Sequence, residues 1–488
     1  MDISDLRWRL LTSRATRPLW TCTQRLLYYR ALRRRLVLLA DGVARREALK
    51  DGRIPSAWRK IHGQRQLMAL SVVYTIDRAL ERHVLSPHVA RVILELWGRA
   101  LLSPPGAGPV RQRFRAAYGC NPPWFVVIAP GRTCNLHCEG CYADSTSAAV
   151  GLPWHVVDRL ISEARELWGI PLVVFSGGEP LAYRSEGKGV LDLVQKHHDC
   201  LYLMFTNGTL IDETVARRLA DLGNLTPAIS VEGLQESTEA RRGKGVFGRI
   251  IQAMSLLRLV GVPFGISVTA TSSNCDEILS DRLLDLFFGE QAAFYGFIFH
   301  YMPIGRNTAF ERMPSAAQRL RLWRRSWEVI EKRRIFLFDF WNSGPLVEGC
   351  ISAGREGGYM YIDWDGKVMP CVFAPYSVAD VRQVYAGGGT LNDVWTAPFF
   401  QALRDWQHRY GYGQAEPQRE GNWLRPCPIR DHYPMFRELV ERYGAVPEDE
   451  AARQALRDVA YYKALAAYGL DVAEFSQEVW EREYLGLR

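Results

Sequence analysis

The chain has 488 residues, 48% of them hydrophobic and 23% charged, with ten cysteines. This apolar content supports a sizeable buried core and excludes a globally disordered chain; the length leaves room for two to four domains. The formal net charge of +8 is unevenly spread: residues 1–120 hold 23 Lys and Arg against 8 Asp and Glu, and the remainder is net acidic.

No run of about 18 uncharged apolar residues occurs, which argues against a transmembrane helix. The first residues, MDISDLRWRL, lack the basic and apolar regions of a secretory signal. The expected setting is therefore a reducing cytoplasm, where clustered cysteines ligate metal instead of pairing as disulfides.

Residues 1–110 read as a basic helical N-terminal region. Apolar residues recur at spacings of three and four, as in Val72, Val73, Ile76 and Leu80, then Val89, Val92, Ile93 and Leu96. RLLYYRALRRRLVLLADG (25–42) sets five arginines, Arg25, Arg30, Arg33, Arg34 and Arg35, among leucines and tyrosines. Such a helix suits an anionic membrane surface at the inner membrane face; alternatively it docks on the acidic remainder of its own chain. No nucleic-acid partner is expected.

SPPGAG (103–108) is a breaker cluster that marks a boundary. From WFVVIAP (124–130) onward the rhythm becomes strand and helix in alternation. Further strands are expected in PLVVFSG (171–177), CLYLMFTNG (200–208), LTPAISVEG (225–233), PFGISVTAT (263–271) and FYGFIFHYMP (294–303), with helices such as 154–169 and 246–261 between them. Six strands, each followed by a helix, predict an α/β fold with a parallel sheet. Six units are too few for a closed eightfold barrel, so the expectation is a partial, open six-stranded βα barrel over 120–312. Ligands then bind at the carboxyl ends of the strands. An extension is expected over 313–440 and a helical tail over 441–488. FLFDFWN (336–342) packs in the core or lines a substrate cavity.

The stretch TCNLHCEGCYADS (133–145) follows the first strand and places Cys134, Cys138 and Cys141 within eight residues. A structural zinc site normally closes with four ligands. C-x3-C-x2-C without a fourth nearby cysteine leaves a coordination position open.

These features, with Tyr142 after the third cysteine, resemble the radical SAM superfamily. In that family three thiolates hold a [4Fe-4S] cluster, and S-adenosylmethionine takes the open iron. The resemblance extends through FSGGEP (175–180), FTNG (205–208), ISVEG (229–233), TEARRGKGVF (238–247) and YMPIGRN (301–307). It implies that Tyr142, Gly177, Gly178, Glu179, Pro180, Thr206, Asn207, Ser230, Glu232 and Arg242 surround S-adenosylmethionine, with Glu179 and the strand edge holding its amino group. The commoner family form has Asp where this chain has Glu232.

Cys350 and Cys371 frame YIDWDGKVMPC, and Cys427 stands in RPCPIRDHY. This resembles the hairpin of a SPASM or twitch extension, which carries auxiliary iron–sulfur clusters. DWDG (363–366) suits the hairpin turn. Three cysteines imply a second cluster whose fourth ligand is His432, Asp431, substrate or water. Cys120 precedes the first strand and lies too far from the active face. Cys22, Cys200 and Cys275 lack ligand spacing and read as small buried hydrophobes.

The implied chemistry is reductive cleavage of S-adenosylmethionine to a 5′-deoxyadenosyl radical that takes hydrogen from an unactivated C–H bond. The enzyme would be an oxidoreductase of maturase type, fed by a reductant such as flavodoxin or ferredoxin. Its substrate is expected to be a peptide or protein, with a lipid, a polyprenyl compound or a small cofactor precursor as alternatives. A non-catalytic cluster- or zinc-binding module is the alternative of another class.

Overall fold

The computed structural model describes residues 34, 35, 37, 42, 56–102, 108–352, 354–414 and 416–487. Most of the arginine-rich segment over 25–42, and Cys22, lie outside these residues.

Seven strands run parallel in chain order: β1 (Phe125–Ile128), β2 (Leu172–Phe175), β3 (Leu201–Thr206), β4 (Leu225–Val231), β5 (Gly265–Ala270), β6 (Tyr295–His300) and β7 (Phe336–Asp339). They read as near-continuous runs of β-branched, aromatic and other apolar residues because one face packs in the core and alternate residues on the other line an apolar interior. The crossovers carry α1 (Trp154–Trp168), α2 (Val190–Lys196), α3 (Glu213–Leu222), α4 (Gln235–Arg242), α5 (Val246–Val260) and α6 (Ala316–Arg333). Local chemistry sets where they start. Asp212 accepts from the Val215 N–H ahead of α3, and Ser315 and Gln318 form a capping box at α6.

Two features exceed the six-stranded expectation. The aromatic run FLFDFWN supplies β7, which pairs in parallel with β6 and extends the sheet by one strand. The segment after Cys350 supplies β8 (Tyr359–Ile362), which pairs in parallel with β1, Phe125 opposite Tyr359. β8 turns back through the DWDG segment into β9 (Lys367–Met369). There the Asp363 carboxylate accepts from the Asp365 and Lys367 N–H groups and Gly366 takes a positive φ of 76°. β10 (Ala379–Asp380) completes a ten-stranded open sheet ordered β10-β9-β8-β1-β2-β3-β4-β5-β6-β7.

The described part of the N-terminal region is helical, at Ser56–Glu81, Pro87–Leu102 and Pro109–Tyr118. The first helix departs from its expected apolar face: Val72 and Ile76 are exposed. It buries instead a mixed stripe of Ile61, Gln64, Met68, Ser71, Thr75 and Ala79. The Ser71 hydroxyl is satisfied by the Met68 carbonyl, so this polar residue is tolerated inside. Helices at Glu450–Arg457 and Val459–Val479 form much of the C-terminal segment. Among the described residues no helix is long and apolar enough to cross a membrane.

Candidate active site

The cysteine loop leaves the carboxyl end of β1 and is held by arginines. The Arg132 Nε–H donates to the Ala143 and Asp144 carbonyls at 3.1 and 3.0 Å. Arg306, after β6, reaches Asp144 at 3.0 Å and the Cys138 carbonyl at 3.1 Å. Arg241 donates to the Glu139 carbonyl at 3.0 Å. The Asn207 side chain, at the end of β3, bonds Asn135 at 2.9 Å and lies 3.8 Å from the Cys134 sulfur.

The SGGEP segment at the end of β2 packs backbone to backbone against this loop. A Cβ on Gly178 would lie 2.3 Å from the Thr133 carbonyl oxygen, and one on Gly177 2.7 Å from that of Gly131. Gly177 also has φ of 112°. Both glycines are therefore required by close approach, and Gly177 by conformation as well.

One cavity of about 400 Å³ opens at the carboxyl ends of the strands. Its wall includes Cys134, Cys138, Cys141, Tyr142, Gly177, Gly178, Thr206, Asn207, Ser230 and Arg242 from the expected set, and also Cys350, Cys371 and Cys427. All six cysteines of the two expected groups thus face one chamber. Cys120 is buried and absent from the wall; Cys200 and Cys275 are likewise buried.

Three expected contacts lie behind the wall. Glu179 is buried: one carboxylate oxygen accepts from Thr206 Oγ1 at 2.7 Å and Leu181 N–H at 3.1 Å, the other from Asn207 N–H at 2.7 Å. It ties the end of β2 to the end of β3. Pro180 is buried beside it. Glu232 is also buried and pairs with Arg241 at 2.8 Å and with Arg242. The longer Glu side chain reaches these cations from the end of β4.

Of the residues considered as a fourth ligand near Cys427, Asp431 is committed to Arg319 at 2.6 Å, and its other oxygen accepts from the Cys427 N–H at 3.1 Å. His432 Nε2 lies 2.9 Å from the Arg425 carbonyl oxygen. Neither lines the chamber.

Between the two cysteine groups the wall is aromatic. Phe205, Phe297, Phe299, Phe340, Trp341 and Phe373 form a contacting series, with Phe299 and Phe340 stacked at 4.5 Å. Sequence reading singled out only 336–342 of this wall. The inward positions of β6, alternating in FYGFIF, were the available signal for Phe297 and Phe299.

Burial pushes the Cys134, Cys350 and Cys371 thiols up to about 11, and that of Cys427 to about 12. Burial also raises the Cys138 thiol, against the opposing pull of Arg242. Buried thiols of this kind are protonated at neutral pH, and ligating iron displaces those protons. Among the described residues no three His, Cys, Asp or Glu side chains converge closely enough to hold a single metal ion. Thiols spaced around a chamber fit a polynuclear cluster better than mononuclear zinc.

Residues 128–274 match the family model of the Radical SAM superfamily, and residues 350–418 match SPASM, an iron–sulfur cluster-binding domain. The chain therefore carries a radical SAM domain joined to a SPASM domain; the first implies a [4Fe-4S] cluster and S-adenosylmethionine as cofactors, and the second implies further iron–sulfur content. It is 28% identical over 386 residues to the Fe-coproporphyrin III synthase of Methanosarcina barkeri, covering 70% of this chain and 90% of that protein. It is 29% identical over 260 residues to the sporulation killing factor maturation protein SkfB of Bacillus subtilis, covering 49% of this chain and 57% of that one. Among solved structures it resembles Streptococcus suis SuiB bound to its precursor peptide SuiA, with a TM-score of 0.51 and 18% identity over 70% of this chain and 79% of that chain. That likeness concerns the fold.

Proposed function

We propose that the enzyme removes a hydrogen atom from an apolar side chain carried on a peptide. The observation that carries this reading is the aromatic wall between the two cysteine groups. Cys134, Cys138 and Cys141 would hold the [4Fe-4S] cluster. The strand-end backbone at Gly177 and Gly178, with Thr206, Asn207, Ser230 and Arg242, would hold S-adenosylmethionine. Cys350, Cys371 and Cys427 would hold a second cluster across the chamber. Bound there, the reduced cluster and S-adenosylmethionine would supply the radical chemistry needed to attack an unactivated C–H bond.

The chain's own residues contribute position and exclusion of water. Glu179 fixes the ends of β2 and β3 that carry the cosubstrate contacts. Arg241 and Arg242 are the only charged side chains among the described residues of the wall, and both are paired with Glu232. The aromatic residues keep the space between the cysteine groups dry and hold an apolar group by contact. A polycarboxylate substrate would find few cations there.

A second reading, a tetrapyrrole cofactor precursor, is supported by the 90% coverage of the Fe-coproporphyrin III synthase.

The test is anaerobic reconstitution followed by assay of 5′-deoxyadenosine. Cys134→Ala with Cys138→Ala and Cys141→Ala should abolish it; persistent cleavage in that triple variant would end the reading. Cys350→Ala with Cys371→Ala should lower iron content while slow cleavage persists. Turnover coupled to mass loss from a peptide supports the first substrate class. Coupling only to an iron tetrapyrrole, or only to a lipid, would replace it.

A further inference from the structure

A second cavity, of about 130 Å³, lies on the other side of Tyr142 from the chamber. Tyr142, Val372 and Ile429 belong to both walls, so the two spaces are one side chain apart. Its floor and sides are aromatic, from Tyr361, Trp364, Tyr376 and Tyr461, all buried. Three carboxyl groups also line it, those of the half-buried Glu448 and of Asp449 and Asp458, both exposed. No Lys or Arg is among the described residues that line it, though the Arg132 guanidinium lies over the Trp364 ring, 5.7 Å from its centroid. Lys367, close by, spends its ammonium on the Glu448 carbonyl at 2.7 Å.

One buried polar atom has no hydrogen-bond partner there. The Tyr361 hydroxyl lines the cavity on a residue only 1% exposed and meets none among the described residues. Such a group is costly unless something binds it. Asp363, fully buried nearby, shares a side-chain hydrogen bond with the Glu448 carboxyl. Asp449 and Asp458 each use one oxygen to cap a helix, at Ala452 N–H and at the Ala460 and Tyr461 N–H groups. Burial and the adjoining Asp363 push the Glu448 carboxyl up to about 9. A neighbouring positive charge would relieve that cost.

Aromatic faces flanked by carboxyl groups recognise ammonium groups. We propose that this cavity binds an alkylammonium group, with the ring faces around its carbon stem and Glu448 and the Tyr361 hydroxyl at its charged end. The ligand is either a free amine or a lysine side chain of a larger molecule seated beside the chamber. The site stands apart from the function proposed above and needs no radical chemistry to be tested.

The probes are n-butylammonium and 1-pentanol, a neutral comparator one methylene longer whose extra apolar surface works against the expected preference, titrated into reconstituted holoenzyme under anaerobic conditions. Binding is read by saturation-transfer NMR and by fluorescence of Trp364 against a Trp364→Phe control. The expected result is saturable binding of n-butylammonium, about tenfold tighter than 1-pentanol, and about tenfold weaker in Glu448→Gln. Tyr361→Phe, which keeps the ring, should weaken it less. N-acetyl-lysine methylamide serves as the third probe. Binding as tight as that of n-butylammonium assigns the site to a ligand-borne lysine; its exclusion assigns the site to a free amine. Equal binding of n-butylammonium and 1-pentanol, no saturable binding of either, or full affinity in Glu448→Gln would overturn the proposal. Loss of 5′-deoxyadenosine formation with these affinities intact would count against the radical reading alone.

Discussion

Replacing Arg319 with Leu should destabilise the protein by about 3 kcal/mol, the low end of the range for breaking a buried ion pair from one side. Arg319, on α6, is 3% exposed and Asp431 is 2% exposed. The guanidinium donates to Asp431 at 2.6 and 3.2 Å, to Asn342 at 3.0 Å, and to the Trp341 and Leu424 carbonyls at 3.0 and 2.8 Å. Its loss strands the Asp431 carboxylate and two carbonyls in a dry interior. Arg430 Nε remains 3.3 Å from Asp431, which is why the low end applies. Burial alone would raise the Asp431 carboxyl, but the two arginines outweigh it and hold the group far below the usual carboxylate range. A depressed pKa stabilises the fold above the unfolded value of about 4 and loses that contribution as pH falls below it. Urea unfolding followed by circular dichroism should therefore show a lower midpoint for Arg319→Leu and a shallower acid-side loss of stability. Arg319→Leu with Asp431→Leu should not recover the loss, since the buried Arg430 guanidinium then loses Asp431 in the same interior. A change below about 1 kcal/mol in Arg319→Leu, against a typical total of 5–15 kcal/mol, would refute the reasoning.

Gly178→Ala should reduce S-adenosylmethionine binding at least tenfold by equilibrium dialysis, because its Cβ would meet the Thr133 and Arg132 carbonyl oxygens at 2.3 and 2.5 Å and push the cysteine loop away; unchanged binding would sink this account of the glycine. Glu448→Gln should flatten stability on the alkaline side. A carboxyl raised to about 9 contributes most below its unfolded value of about 4.3 and loses that contribution progressively up to about 9; equal slopes for the two proteins over that interval would contradict the assignment. Glu232→Gln should lower iron bound per chain, since Arg241 and Arg242 lose their shared counter-ion beside the cysteine loop; full iron content would show that the pairing is not needed for cluster assembly.

The strands that carry the site were legible because parallel strands with one face in the core and the other on an apolar interior leave unbroken apolar runs, ended by Gly, Asn or Glu where the chain turns over the open face. The partners of β7 and β8 were not. A short aromatic run such as 336–339 carries no mark of which strand lies beside it. The parallel pairing of β8 with β1 joins segments far apart in the chain, while the local DWDG signal speaks only for the antiparallel turn into β9. The expected apolar face of the first described helix failed at Val72 and Ile76 for a related reason. Tertiary contacts favoured a stripe holding Gln64, Ser71 and Thr75, whose burial no hydropathy pattern signals.

Side-chain direction was the other gap. Motif residues are adjacent in sequence, yet Gly177 and Gly178 face the chamber while Glu179 and Glu232 turn behind it. That division has a physical logic. A carboxylate in the aromatic chamber would have to be desolvated without a partner, whereas behind the wall Glu179 accepts three hydrogen bonds and Glu232 meets two guanidinium groups. The carboxylates thus set the positions of the strand ends, and the face they leave free is made of backbone, thiols, small polar groups, aromatic rings and the two guanidinium groups that Glu232 neutralises from behind. The second cavity is the converse: three carboxyl groups, those of Glu448, Asp449 and Asp458, line it directly beyond Tyr142, and two of these residues are exposed, so a cation can meet them there.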